Sequence, residues 1–240
     1  MVTIKNITPT VDIVGSLFAE FLADAIGTID SLVVNGGDSY TFNTCNTGWI
    51  RIKSVVTIGG NDFEVTSFVQ GESFTATSTS DPAGETTFTL PNVNYFHNTR
   101  FGQRAEVGDI PDINDRVPMF WLYEVFEETF NNDDELVLDR TSPLRLFFLD
   151  NSNFEDWNND EHYAFIINPM LNLAESFIEF LKNNPRIQQF EQHLLTSHKN
   201  FGEVSDSGHV ASYLGDEVSG VQVRITLPID KDLTCNDCLN

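Results

Sequence analysis

From Val11 to Ile29 the apolar positions Val14, Leu17, Phe18, Phe21, Leu22, Ala25, Ile26 and Ile29 fall three and four residues apart. That spacing lays them along one stripe of an α-helix, with Glu20 and Asp24 on the opposite side. Thr10 is the expected N-cap, and Asp12 sits where the helix dipole favours an acid. Such a stripe must be covered, by the core or by a helix of a neighbouring subunit. From residue 33 to about 96 the period changes to two. Tyr40–Thr44 and most of Trp49–Ile58 alternate, Gly59-Gly60-Asn61-Asp62 turns the chain into Phe63–Val69, and Phe74–Thr77 and Thr86–Leu90 follow. Short strands at this spacing predict a small β-sandwich or barrel, inserted between the first helix and the rest.

The carboxy half alternates elements. Residues 94–116 read as a long connection containing Arg100, Phe101, Arg104 and Arg116. Met119–Tyr123, Leu136–Leu138, Leu144–Leu149 and Val221–Leu227 read as strands, with an acidic turn at Asn131–Glu135. A second amphipathic helix is expected from about Asp160 to Leu181, broken or kinked at Pro169 and stopped by Asn184-Pro185. Ile187–His193 fits helix or strand equally. The expected fold is α+β: a mixed, mostly antiparallel sheet flanked by two long helices, formed by residues 1–32 and 97–240, with an inserted all-β module at 33–96.

Charge sharpens this picture. Among 240 residues, 36 are acidic and 13 basic, a net charge of −23. Phosphate-tracking nucleic-acid binding and attachment to anionic membranes both need clustered Lys and Arg, so both are disfavoured. Arg51 and Lys53 are the only basic residues between Lys5 and Arg100. The amino terminus lacks the pattern of a secretory signal, and no apolar run approaches a membrane span, so a soluble chain made inside a cell is expected. Three cysteines are too few for a disulfide framework; Cys45 reads as a buried thiol, and Cys235 and Cys238 as a weak C-x-x-C.

Chemistry is sparse. Phosphate-binding glycine loops, a G-x-S-x-G elbow and H-E-x-x-H are all missing. His193 and His198 would diverge on a helix, and the acidic window from Asp150 to Glu161 places Phe154 and Glu155 where a calcium loop needs a ligand and a glycine. Asp160, Glu161 and His162 resemble an acid–base cluster less than a helix start. No catalytic residue, metal ligand or cofactor is expected. The chain reads as one that works through its surfaces.

One resemblance bears on which surfaces. Val117–Glu124, Ser142–Asp150, Trp157, Glu161-His162-Tyr163, Ile167–Met170, Leu173–Phe177 and Ser219–Pro228 succeed one another in a pattern similar to neck and tail-completion proteins of tailed bacteriophages infecting Bacteroidota. The resemblance covers residues 10–30 and 117–240 and leaves out 33–96. It implies a tail-terminator-like structural protein of the virion, assembled in the host cytoplasm. Its partners would be copies of itself in a hexameric or dodecameric ring, other neck or tail proteins, and DNA passing through the channel without specific contact. An arm formed by Arg100, Phe101, Arg104 and Arg116 would meet an acidic loop, Asp133, Asp134 and Glu135, of the next subunit. Two alternatives stand beside it: a module binding a glycan or decoration protein through the β region, with Trp49 or a phenylalanine patch as platform, and a hydrolase of unknown type.

Overall fold

The computed structural model describes residues 8–99, 110, 116–123, 127–131, 139–152, 157–190, 192–199, 201–204, 210–212 and 217–229. The first helix, α1 (Thr10–Ala23), buries Ile13, Val14, Leu17, Phe18 and Phe21, so the apolar stripe is real but short. Pro9, not Thr10, occupies the N-cap position. The stripe stops at Asp24 because the next residues are claimed by a sheet: Leu90 donates its amide to Ala25 O, and β1 (Ile26–Thr28) pairs with β7 (Thr87–Thr89). Gly27 makes this possible. A Cβ there would stand 2.1 Å from Cζ of Phe88, whose ring crosses directly over it.

Residues 26–89 form a seven-stranded antiparallel sheet in the order β1-β7-β4-β5-β6-β3-β2, with β2 (Ser31–Gly36), β3 (Ser39–Asn43), β4 (Val55–Ile58), β5 (Asn61–Val69) and β6 (Ser73–Thr77). Its two end strands, β1 and β2, are successive pieces of one chain segment. Between them Ile29 donates to Thr86 O and Asp30 to Asn43 O, both at 2.8 Å. The ladder is therefore carried from β7 across to β3, and the sheet closes into a barrel. Gly59 and Gly60, both with positive φ, make the two-residue turn between β4 and β5. Inside, Phe42, Phe63, Phe74 and Phe88 meet at ring distances of 4.9–5.7 Å along the chain of contacts. The lumen is thereby filled with side chains.

The second sheet has six strands: β12 (His193–His198), β15 (Val218–Ile229), β11 (Asp139–Asn151), β9 (Met119–Tyr123) and β8 (Asn94–Asn98) in that order, with β10 (Thr129–Asn131) on β11, while β13 (Gly202–Val204) and β14 (Val210–Ser212) pair with each other. Only β8–β9 is parallel among these described pairings. Both helices lie on one face, where Phe18, Phe120, Phe148 and Phe177 form the centre of the main core. Phe18 approaches Phe120 to 4.3 Å and meets Phe177 edge-on at 5.2 Å. The helix α2 (Asn159–Asn183) is long and apolar enough to cross a membrane by length and composition, yet Met170, Leu173, Ala174, Phe177, Ile178 and Leu181 are spent on this core. The opposite face is covered along half its length by Trp121, Phe147, Leu149 and Phe201.

Several expectations are corrected here. Among the described residues strand outweighs helix, 45% against 23%, and the fold is not a sheet flanked by two long helices. α1 ends at Ala23, leaving α2 as the one helix of 25 residues. β8 lies inside what read as a long connection. β11 is one continuous strand through Pro143, which sits opposite Thr226 of β15 and, on its other side, in the gap between the pairings with β10 (139–141) and β9 (145–149). Trp49–Ser54 is not a strand. Trp49 enters the main core and Ile50 the barrel core, so alternation arises from two cores rather than two faces.

That loop also joins the two sheets. Trp49 meets Phe21 in a tilted ring contact at 5.5 Å and donates its indole N–H to Pro91 O at 2.8 Å, while Asn172 of α2 donates to Gly48 O at 2.9 Å. A buried polar group ties α1 to β11 in turn. Arg140, 1% exposed, donates to Thr8 O at 2.6 Å and pairs with Glu128 at 3.3 Å. Glu128 accepts from Thr10 at the N-terminus of α1, where the helix dipole favours an anion.

Candidate functional site

A convergence of polar side chains lies at one end of the six-stranded sheet, under the start of α2. The register pairs Asp150 with Ser219, and Ser152 follows two residues on, so all three point to the helix face. Above them α2 opens with a capping box: Asn158 Oδ1 accepts from Asp160 and Glu161, and Glu161 returns a bond to the Asn158 amide. The expected role of Asp160 and Glu161 as helix-start acids fits this geometry. His162 follows at 8% exposure. The next five residues, Tyr163–Ile167, form a π turn in which Asn168 donates to Tyr163 O. The widened turn stands where Pro169, lacking an N–H, leaves the regular ladder without a donor, and it takes the place of the expected kink.

His162 Nδ1 and Ser152 Oγ are 3.1 Å apart, and Ser152 Oγ and Ser219 Oγ 3.0 Å. Ser219 also contacts the carbonyl of Lys199. Ser219 Oγ is the donor to Ser152 Oγ as well as to the Lys199 carbonyl, so its one proton has two acceptors within reach. The contact between His162 Nδ1 and Ser152 Oγ runs in either direction according to the imidazole tautomer. The Ser152 amide, bonded to Glu217 O at 2.9 Å, is not free to hold an oxyanion. This arrangement holds α2 onto the sheet.

Asp150, fully buried, faces Arg51 of the barrel loop. Nε stands 2.5 Å from Oδ2 but off the N–H axis, so the contact is an ion pair more than a formed hydrogen bond. The Asn151 amide donates to Oδ1 at 2.7 Å, and Arg51 Nη2 donates to Val117 O at 3.1 Å. Burial pushes the Asp150 carboxyl up to about 6; Arg51 and the Asn151 amide oppose that rise without cancelling it. Beside the pair, a cleft of about 360 Å³ opens between Arg51, Lys53, Ser152, Trp157 and Phe165. Lys53 adopts a left-handed φ of 67° there.

Of the residues singled out from the sequence, Arg100, Phe101, Arg104, Asp133, Asp134, Glu135, Cys235 and Cys238 lie outside the described residues. Arg116 donates from Nε to Ile110 O at 2.6 Å. Cys45 is exposed rather than buried. Trp49 is 2% exposed, so it cannot be a glycan platform. His193 and His198 lie at opposite ends of β12; His193 Nε2 faces Glu175 at 3.3 Å and His198 Nε2 faces Gln222 at 3.1 Å. Among the described residues, no group of three His, Cys, Asp or Glu is placed to hold a metal ion. The sequence reading missed Arg51, Asp150, Ser152 and Ser219. Its available signal was a lone acid closing the apolar run Leu144–Leu149, and two cations in an otherwise cation-free barrel.

No family model, curated protein or solved structure matches the chain.

Proposed function

We propose that the chain is a structural subunit of a tailed-phage virion, building a ring at the neck or tail around the DNA channel and joining tail parts to the head connector. The observation that carries this reading is the charge, 36 acidic against 13 basic residues. A conduit must let DNA pass without adhering, and a wall of this sign repels phosphate. The resemblance of residues 10–30 and 117–240 to neck and tail-completion proteins supplies the position. The build is compatible with load-bearing: barrel and six-stranded sheet are joined by Trp49, Arg51–Asp150 and Asn172–Gly48. The polar side chains under α2 are turned inward on one another.

The test has two arms. Purified protein should fail to retard duplex DNA at low salt, and labelled antibody or cryo-electron microscopy of intact particles should locate it at the neck or tail. A monomer that turns over a substrate, with no place in a particle, would overturn the reading.

A further inference from the structure

The outer face of the six-stranded sheet carries an unusual row. Tyr123 of β9, Arg145 of β11, Arg224 of β15 and Leu194 of β12 are successive cross-strand neighbours. Arg145 and Arg224 are thus directly opposed, an arrangement of like charges that weakens a sheet on its own. Both are exposed, and neither makes an ion pair or hydrogen bond among the described residues. Leu194 beside them is 56% exposed on an edge strand that has neither Lys nor Pro to blunt it. A groove of about 650 Å³ runs over Pro143, Arg145, Leu194, Arg224 and Thr226. The one acid at an outward position of the described strands, Asp139, lies six residues from Arg145 along β11, and the positions opposite and diagonal to the arginine pair hold no Asp or Glu. In a chain with 36 acids, that is the feature to explain.

We propose that this open half-face, centred on Arg145 and Arg224, is the seat for a carboxylate-bearing surface of a second copy of the chain, with Leu194 as its apolar margin. The proposal rests on the self-assembly reading above and deepens it by naming the surface. Copies carrying −23 each repel one another over most approaches; an arginine pair with no acid opposite or diagonal to it is where that repulsion turns to attraction. The same charges fix the symmetry. A two-fold axis through this patch would set four guanidinium groups against each other, so the contact is heterologous: arginines of one copy meet acids elsewhere on the next. Heterologous contacts propagate head to tail and close into rings when the rotation permits.

The experiment is sedimentation velocity with native mass spectrometry on the full chain, at low and high salt, for wild type, Arg224→Glu, Arg145→Glu/Arg224→Glu and the control Lys182→Glu, an equal charge change at the exposed end of α2. Arg224→Glu places a Glu opposite Arg145, a favourable cross-strand pair, so it keeps the fold while cancelling the patch. The expected result is self-association in wild type and Lys182→Glu, weakened by salt, and at least about tenfold weaker association in both patch variants. Wild-type association that the patch variants leave unchanged would overturn this surface while leaving the assembly reading intact. A lowered melting temperature in the patch variants without any change in association would show that an acidic segment of the same chain occupies the face, and overturn it too. A wild type that stays monomeric at every concentration would remove both.

Discussion

Asp150 offers the sharpest test of the junction between the barrel and the six-stranded sheet. Its carboxyl is fully buried and held up at about 6 against an ordinary value of 3.8. The folded protein therefore binds this proton more tightly than the unfolded chain does. Below the unfolded value the favourable contribution is complete, and it is lost as pH rises through about 6. A shift of this size corresponds to roughly 3 kcal/mol across the whole transition, at about 1.4 kcal/mol per unit. Between pH 5 and pH 7.5 the lost part is about 1.4 kcal/mol by the linkage relation. Other carboxylates titrate in the same window, so wild type must be compared with Asp150→Asn, which keeps an oxygen for the Asn151 amide but has no proton to exchange. Urea unfolding at intervals across that window gives the two stability curves. The wild-type curve should fall relative to the variant's as pH rises, by about that amount, with most of the change near pH 5–6. Parallel curves would show that Asp150 does not titrate there, and a relative rise would show that Arg51 outweighs burial and pulls the carboxyl down.

Three further outcomes follow from particular contacts. Gly220→Ala would put a Cβ 1.9 Å from the backbone oxygen of Phe148, so β11 and β15 must part, and chemical denaturation should show a loss of about 3 kcal/mol or more. Glu128→Gln leaves Arg140, 1% exposed, without its anion and should cost about 3 kcal/mol in the same assay; a neutral result would mean that the Thr8 carbonyl alone satisfies the guanidinium. Ser152→Ala should lower stability by about 1–2 kcal/mol in the same assay, because Ser219 Oγ and His162 Nδ1 both lose their shared buried partner; an unchanged stability would show that this cluster does not hold α2 to the sheet.

What could be read from the sequence was what depends on neighbours. The stripe Val14–Phe21, the Gly59-Gly60 turn, the dense strand Met119–Tyr123 and the stop at Asn184-Pro185 are local patterns, and each is where the pattern puts it. The barrel was readable only as strands, because its closure depends on Ile29 and Asp30 bonding to Thr86 and Asn43, residues that no local window connects. Ala25, Ile26 and Ile29 continued a helical stripe that tertiary pairing overrode: a strand position opposite β7, with Gly27 clearing room for Phe88, outweighed three residues of helical period.

The polar cluster was hidden for a related reason, and that reason bears on what it does. Arg51 and Asp150 are 99 positions apart in the sequence, and each looks ordinary alone, a cation in a turn and an acid after a strand. Burial gives the pair its meaning. An exposed pair would contribute less than about 1 kcal/mol, whereas a buried acid held near 6 makes the barrel's seating depend on pH. Ser152, His162 and Ser219 are likewise committed to one another and to Lys199 O. The outer-face arginines are the reverse case: Arg145 and Arg224 sit in plain alternation on their strands, but only the register shows them opposed with no acid opposite or diagonal to them. The inward groups meet one another, whereas the outward pair meets no acid among the described residues, and the sign of the charge that would match it is that of the chain's own surplus.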